Sequence, residues 1–97
     1  MVMSLCCGCS HPPTYQHARE FEAEVGSWNL VDRTLSEASD VLLGKGFTCD
    51  GAECFRFVGG FPCVQHQSIT LLLSTEGIVK EAQVRKLRDG QLPSSCA

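Results

Sequence analysis

Long apolar runs are missing from this chain of 97 residues. No stretch approaches the roughly 18 consecutive apolar residues of a transmembrane helix, so none is predicted. Basic clusters are missing as well, since eight Lys and Arg are scattered among eleven Asp and Glu, for a net charge of −3. Nucleic-acid binding needs grouped cations that neutralise phosphates. The sequence therefore argues against a nucleic-acid partner.

The familiar catalytic and nucleotide-binding motifs are also missing from the sequence. It has no P-loop, no dinucleotide-binding glycine fingerprint, no Gly-x-Ser-x-Gly and no His-Glu-x-x-His. The histidines His11, His17 and His66 are far apart along the chain. We therefore predict that the protein is not an enzyme, and we assign no catalytic residue.

Cysteine, in contrast, is abundant, with seven in the chain. One group lies near the start and consists of Cys6, Cys7 and Cys9. The other lies in or after the body of the chain and consists of Cys49, Cys54, Cys63 and Cys96. A domain this small buries only a modest core, and such domains often gain stability from disulfides or a metal. The thiols therefore require a chemical explanation.

The first residues resemble the end of a bacterial lipoprotein signal. Met1 to Leu5 is mostly apolar, and Gly8-Cys9-Ser10 matches the site where a small residue precedes the lipidated cysteine. The resemblance implies acylation of Cys9 and a lipid anchor that holds the protein on a membrane. Residues 1–8 would then be a signal remnant or disordered tail, and residues 9–14 a tether. Two alternatives remain open, an inert tail and a metal clip made of Cys6, Cys7, Cys9 and His11.

Two helices are predicted in the first half of the body. The first begins at a Thr14 cap, ends near Gly26, and has a stripe of Tyr15, Ala18, Phe21, Val25 and Trp28 that is expected in the core. The second begins at a capping box formed by Thr34 and Glu37. Its apolar stripe consists of Leu35, Ala38, Leu42 and Leu43. Gly46 suits the left-handed position after the last turn, and Phe47 is expected to fold back on Leu42.

Four strands are predicted after the helices, at residues 47–49, 54–58, 68–73 and 78–85. A helix over residues 80–88 is the alternative to the last strand. Phe55 and Phe57 share one face of the second strand. In the last strand Ile78, Ala82 and Val84 are expected inward and Val79 outward. The fold class is α+β, with two N-terminal helices packed on one face of a three- to four-stranded antiparallel meander sheet. The domain spans residues 15–88, and residues 89–97 are expected to form a loose tail.

The meander order suggests how the four body cysteines pair. Cys49 and Cys54 flank a turn at one end of the sheet, whereas Cys63 and Cys96 meet at the other end. Because bridged Cα atoms lie within about 7 Å of each other, these two pairs are the predicted disulfides. If Cys49 directly opposes Cys54, Phe47 lies on the sheet face opposite Phe55 and Phe57, which conflicts with a single core face.

Other chemistry remains open for the same thiols. Zinc is one alternative cofactor, with Cys49, Cys54, Cys63 and His66 as its ligands. Free buried thiols are a second alternative. A catalytic thiolate–imidazolium pair of Cys63 and His66 is a third. If the thiols form disulfides, we expect no cofactor.

The order of elements resembles a known family. The lipoprotein-like start, the two helices and the segments Ile69–Leu73, Glu76-Gly77 and Ile78-Val79 resemble the small outer-membrane lipoproteins of the SmpA/OmlA (BamE-like) type. The helix–helix–sheet module of β-lactamase inhibitor proteins is similar. The resemblance implies a non-enzymatic domain, periplasmic or anchored to the outer membrane, that binds or scaffolds an unidentified protein partner. The alternatives are a small cytoplasmic zinc-binding interaction module and a secreted enzyme inhibitor that uses exposed aromatic residues.

Overall fold

The computed structural model describes residues 16–97. The N-terminal cysteine group, the tether and the predicted cap Thr14 lie outside the described residues. Two helices come first, α1 (Ala18–Ser27) and α2 (Leu35–Gly44). Five strands follow, β1 (Thr48–Asp50), β2 (Glu53–Gly60), β3 (Cys63–Leu73), β4 (Val79–Val84) and β5 (Ser94–Cys96). The α+β class is confirmed, with more strands than predicted.

The first helix begins three residues later than its predicted first residue, Tyr15. His17 is its N-cap, and the His17 backbone N–H donates to Oε1 of Glu20 at 3.0 Å. This contact satisfies one of the N–H groups that the first turn of a helix leaves free. Phe21 and Val25 on the inner side are buried, as predicted.

The second helix begins and ends as its sequence predicts. The Glu37 N–H donates to Thr34 Oγ1 at 3.1 Å, and the Thr34 N–H donates to Glu37 Oε1 at 3.0 Å. At the other end Gly46 has φ of 92°, and the Phe47 N–H donates to the Leu42 carbonyl at 3.0 Å. One residue of the predicted stripe is wrong, because Leu43 is exposed, a third of a turn away from buried Leu42.

The antiparallel sheet is centred on β3. The strand order is β1-β2-β3-β4, and β5 also pairs with β3. Along one edge of β3, β2 pairs from Cys63 to Thr70. Along the other edge, β5 pairs with Cys63–Gln65 and β4 pairs with Ile69–Leu73. Cys63 and Cys54 therefore lie near opposite ends of the sheet.

The last residues form a strand rather than the loose tail predicted from the sequence. Ser94, Ser95 and Cys96 pair with the start of β3. Leu92 is 6% exposed and belongs to the buried cluster, and the His66 N–H donates to the Pro93 carbonyl at 2.8 Å. The Cys63–Cys96 disulfide and buried Leu92 hold residues 92–96 against β3, although the sequence of this segment does not predict a strand.

The core cluster takes residues from both helices and from alternate positions of the strands. Phe21, Phe47 and Trp28 form its aromatic part, with Phe21 and Phe47 stacked at 6.3 Å and Trp28 edge-on to both. Cys54, Ile69 and Leu71 contribute from β2 and β3. This agrees with the expectation that Phe21 and Trp28 pack within the domain.

The face predicted for Val79 is wrong. A register shift between Leu72 and Leu73 places Val79 opposite Leu73, and Val79 is fully buried. Its N–H donates to the Arg33 carbonyl and its carbonyl accepts from the Asp32 N–H, both at 2.8 Å. An irregularity of this kind inverts the alternation of side chains, so that a position expected to face outward turns inward.

Candidate functional site

The aromatic residues of β2 face away from the core. Cys49 lies directly opposite Cys54, and Phe47 is buried. Phe55 and Phe57 are 37% and 56% exposed, whereas Cys54 and Val58 are buried. The conflict expected from the sequence is thereby resolved, because Phe47 lies on the core side and the two phenylalanines lie on the other.

We call this second side the outward face; it carries Phe55 and Phe57 of β2 and the even-numbered residues of β3 from Val64 to Leu72. Phe57 lies opposite His66, and the two rings meet edge-on at 4.8 Å. Phe55 and Phe57 are 5.7 Å apart between ring centroids. The His66 Nε2 lies 2.9 Å from Ser95 Oγ. The outward face therefore presents a connected aromatic group within polar surroundings.

The acidic side chains of the outward face are concentrated at one end, and one cation, Arg85, lies beside Ser68 in the middle. Glu53 lies opposite Asp50 and Thr70, and Glu81 lies opposite Leu72, all toward the Cys49–Cys54 end. Toward the other end, around Phe57 and Val64, the facing residues are uncharged. The face therefore offers apolar contact in its middle and a negative potential at one end, which favours a partner surface with basic residues.

The inward position between the two phenylalanines is occupied by an arginine. The Arg56 guanidinium carbon lies 4.6 Å from the Phe47 ring centroid and within 6 Å of the Phe21 and Trp28 centroids. Its Nε donates to Gln67 Oε1 at 2.6 Å, and its Nη1 donates to the Lys45 carbonyl at 2.7 Å. Burial lowers the pKa of Arg56, and the nearby Glu24 carboxylate opposes that shift. The group stays charged at neutral pH.

Two buried glutamines extend the polar contacts of Arg56 to Gln16, the first described residue. We call Arg56, Gln67, Gln65 and Gln16 the polar seam. Gln67 is fully buried, and its Nε2 donates to Gln65 Oε1 and to Gln16 Oε1, at 3.0 and 3.1 Å. Gln65 Nε2 donates to the Gln16 carbonyl at 2.8 Å, and Gln65 Oε1 accepts from the Gln16 N–H at 3.1 Å. The seam therefore fixes the backbone of Gln16 beside the first half of β3.

Two disulfides close the ends of the sheet. Cys49 is bonded to Cys54 and Cys63 to Cys96, each pair with Cα atoms 4.0 Å apart. These are the two pairs predicted from the sequence. Stable disulfides are typical of proteins outside the reducing cytoplasm. The two disulfides therefore indicate an oxidising, non-cytoplasmic compartment.

The structure does not bring together the alternative zinc ligands. Cys54 lies opposite Ile69, which is six residues along β3 from Cys63, or about 20 Å at the rise of a strand. Among residues 16–97, no group of three or more His, Cys, Asp or Glu side chains is placed to hold a metal ion. The alternative thiolate–imidazolium pair also fails, because Cys63 is in a disulfide and His66 contacts Ser95.

No known protein family, curated protein or solved structure matches the chain. The likeness to small outer-membrane lipoproteins thus remains a prediction. In the part of the chain that the structure describes, no helix is long and apolar enough to cross a membrane.

A groove of about 480 Å³ lies between the end of α1, the following loop and β4. Its floor includes buried Val25 and Leu30, and its rim includes Asn29 and Asp32. Both rim residues have left-handed backbones, with φ of 55° and 72°. Asn and Asp are the residues other than glycine that best tolerate this conformation. The groove mixes acidic, basic and apolar groups without a convergent polar set.

Arg56, Gln65 and Gln67 were not predicted from the sequence as interior residues. A signal for them is present, because Gln65 and Gln67 have the same parity as Ile69 and Leu71 in one strand. Arg56 likewise stands between Cys54 and Val58. The fixed alternation of strand side chains carries all three polar residues inward with their apolar neighbours.

Proposed function

We propose that this chain is the non-enzymatic, protein-binding domain of an exported bacterial lipoprotein. Acylation of Cys9 anchors it to a membrane, with the domain in the periplasm. The two disulfides support export. The Gly8-Cys9-Ser10 sequence supports acylation, and the order of elements supports the outer membrane, where the lipoproteins of the SmpA/OmlA type reside.

The two helices cover the sheet face opposite the outward face. Cys54, Ile69 and Leu71 share one buried cluster with Phe21 of α1 and Leu42 of α2, which supports this arrangement. The outward face is then the side of the sheet that is free for a partner. This is the arrangement expected of a two-layer domain that uses one sheet face for its core and the other for recognition.

One observation carries the proposal: Phe55 and Phe57 point outward while Arg56 between them points inward. Burying a phenylalanine side chain stabilises a protein by about 1.5–3 kcal/mol. The fold forgoes part of this contribution at both positions and instead accommodates a half-buried cation against its core. Exposed aromatic residues grouped in one patch are typical of protein interfaces, where the partner completes their burial.

The partner's chemistry follows from the outward face. Apolar pockets on the partner would receive Phe55 and Phe57, and basic side chains would lie against Glu53 and Glu81. Charge complementarity of this kind mainly speeds association and selects the partner, whereas the buried aromatic residues supply most of the affinity.

A site-specific photo-crosslinker tests this assignment in cells that carry the lipoprotein. With the crosslinker in place of Phe57, we expect one discrete protein adduct. With the crosslinker in place of Ser36, which is exposed on α2, we expect none. Glu53→Lys should weaken the adduct at position 57. Equal labelling from both positions, or no adduct from a folded and exported protein, would contradict the proposal.

The anchor is tested separately. Metabolic labelling with an alkyne fatty acid should modify the wild-type protein, and Cys9→Ser should abolish both the label and membrane association. Cys6→Ser is the matched control and should keep the label, because a residue of the signal is removed before the mature protein forms. A label that persists in Cys9→Ser would rule out this anchor.

The same exposed aromatic group also supports a second function, a secreted inhibitor of an enzyme. The two functions differ in what the partner is and in what binding does to it. If the protein crosslinked through position 57 is an enzyme, and the free domain blocks its activity while Phe57→Ser does not, the inhibitor function is the correct one.

A further inference from the structure

The turn between β2 and β3 carries the most exposed large apolar residue among those described. Phe61 is 92% exposed and lies between Gly60 and Pro62 at the end of the hairpin. A shallow, mostly apolar depression of about 440 Å³ surrounds it, with Val64 and Cys96 in its wall. We call the Gly60–Cys63 turn the hairpin tip. Its aromatic side chain is available to something outside the domain.

The two chain segments that meet at this end of the sheet differ in side-chain charge from the rest of the chain. Residues 57–65 and 90–97 contain no charged side chain, although a fifth of the residues in the chain are charged. Pairing of β5 with the start of β3 brings the two segments side by side. The other end carries Asp50, Glu53 and Glu76. The start of α1, with Arg19 and Glu20, lies behind this end against Gly90 and Gln91. The hairpin tip is therefore apolar with charged groups behind it, and the opposite end of the sheet is acidic, a polarity that suits a tip in contact with a lipid–water interface.

The N-terminal segment enters the domain at the apolar end. Gln65 holds both backbone groups of Gln16. Gln65 lies two residues from the last pair of the hairpin, Gly60 and Cys63, so the tip projects about 10 Å beyond this point. The chain from Cys9 to Gln16 spans at most about 25 Å when fully extended. An acyl group on Cys9 would therefore hold the apolar end, and not the acidic end, close to the bilayer.

We propose that the hairpin tip inserts Phe61 and Pro62 into the lipid–water interface of the membrane that carries the anchor. A lipid surface is the occupant that suits an uncharged tip at the tethered end. The strands then stand upright on the membrane, and the outward face stays open to the side for a protein partner. The proposal rests on the proposed acylation of Cys9, but it requires no protein partner.

A tryptophan reporter at the tip tests the contact. Acylated full-length Phe61→Trp protein is reconstituted on phosphatidylcholine vesicles with or without brominated acyl chains. We expect a blue shift of the tip emission and quenching by the brominated lipid. Phe55→Trp, on the outward face, is the matched control and should show neither beyond the Trp28 background. Emission at position 61 that stays typical of water would overturn the proposal.

A second measurement removes the anchor, so that failure of the tip and failure of the anchor are distinguished. In the Cys9→Ser chain, Phe61→Ser should lower the vesicle partition coefficient about tenfold, while Phe55→Ser should not change it. Equal partitioning of the two variants would overturn the tip contact, whatever the labelling of Cys9 shows. A blue shift of the Phe61→Trp emission without vesicles would also overturn the membrane contact. It would show that the tip binds residues 1–15 of the same chain, or a second copy of the protein if the shift increases with protein concentration.

Discussion

The Arg56 guanidinium carbon lies 4.6 Å from the centroid of the buried Phe47 ring. A half-buried charged side chain against so small a core is costly unless its donors are matched. Here Gln67 and the Lys45 carbonyl accept from it, and three aromatic rings surround it. The inward orientation of Arg56 also places its neighbours Phe55 and Phe57 on the outward face, because adjacent residues of a strand point to opposite sides of the sheet.

The first prediction concerns Gln67, whose side-chain oxygen accepts a hydrogen bond from Arg56. Arg56→Met should destabilise the domain by about 1–3 kcal/mol, because Gln67 Oε1 stays buried without its donor. The double variant Arg56→Met with Gln67→Leu should recover part of this loss, since replacing both partners by apolar groups removes the unmatched acceptor. Urea unfolding of the two single variants and the double variant measures the coupling. Additive losses would show that the hydrogen bond is not the reason for the cost.

Local signals in the sequence were sufficient to predict α2 and its ends. The pair Thr34 and Glu37 specifies where the helix begins, and Gly46 with Phe47 specifies where it ends. Each depends on groups within five residues of one another, so no knowledge of the rest of the fold is needed. The turn at Asp50-Gly51, with Gly51 at φ of 62°, is predictable for the same reason.

Which face of a strand turns inward was not predictable in the same way. Alternation predicts that Phe55 and Phe57 share a face, but it does not say which face is buried. That choice depends on the opposition of Cys49 to Cys54 and on the seam of Arg56 and Gln67, which are contacts between different elements. The β5 strand was missed because residues 94–96 have no strand pattern of their own, and their pairing with β3 and the burial of Leu92 depend on distant residues.

The second prediction separates the two disulfides by the loops they close. The sequence separation is 33 residues for Cys63–Cys96 and 5 for Cys49–Cys54. The loss of chain entropy in the unfolded state predicts a contribution of about 4 kcal/mol for the first and about 2 kcal/mol for the second. Double serine variants compared by denaturant unfolding measure both contributions. A larger loss from the Cys49–Cys54 pair would contradict this order.

The third prediction uses two glycines that lie two residues apart. Gly46 has φ of 92°, and an added Cβ would meet nothing within 4 Å, so Gly46→Ala costs only backbone strain, about 1–2 kcal/mol. Gly44 also has free space but ends α2 in ordinary helical conformation, so Gly44→Ala should stabilise the domain by about 0.5 kcal/mol. Thermal unfolding should therefore shift in opposite directions. Equal signs would refute the assigned helix end.

The fourth prediction contrasts two neighbours on opposite sides of β2. Val58 is 2% exposed and Phe57 is 56% exposed. Val58→Ala should cost about 2 kcal/mol, because it removes buried methyl groups from a packed site. Phe57→Ala should cost less than about 1 kcal/mol, although it removes the larger side chain, because solvent already surrounds much of the ring. Urea unfolding of the two variants gives the comparison.

The same pair of variants tests where recognition occurs. With the crosslinker in place of Phe55, Phe57→Ala should abolish the crosslinked adduct while leaving the free energy of unfolding nearly unchanged, since only a partner completes the burial of that ring. Val58→Ala should retain the adduct at temperatures where the domain stays folded, because its side chain lies on the core side. If Phe57→Ala were instead the more destabilising change, the Phe57 ring would mainly stabilise the domain. That result would contradict the proposal that the outward face is the interaction surface.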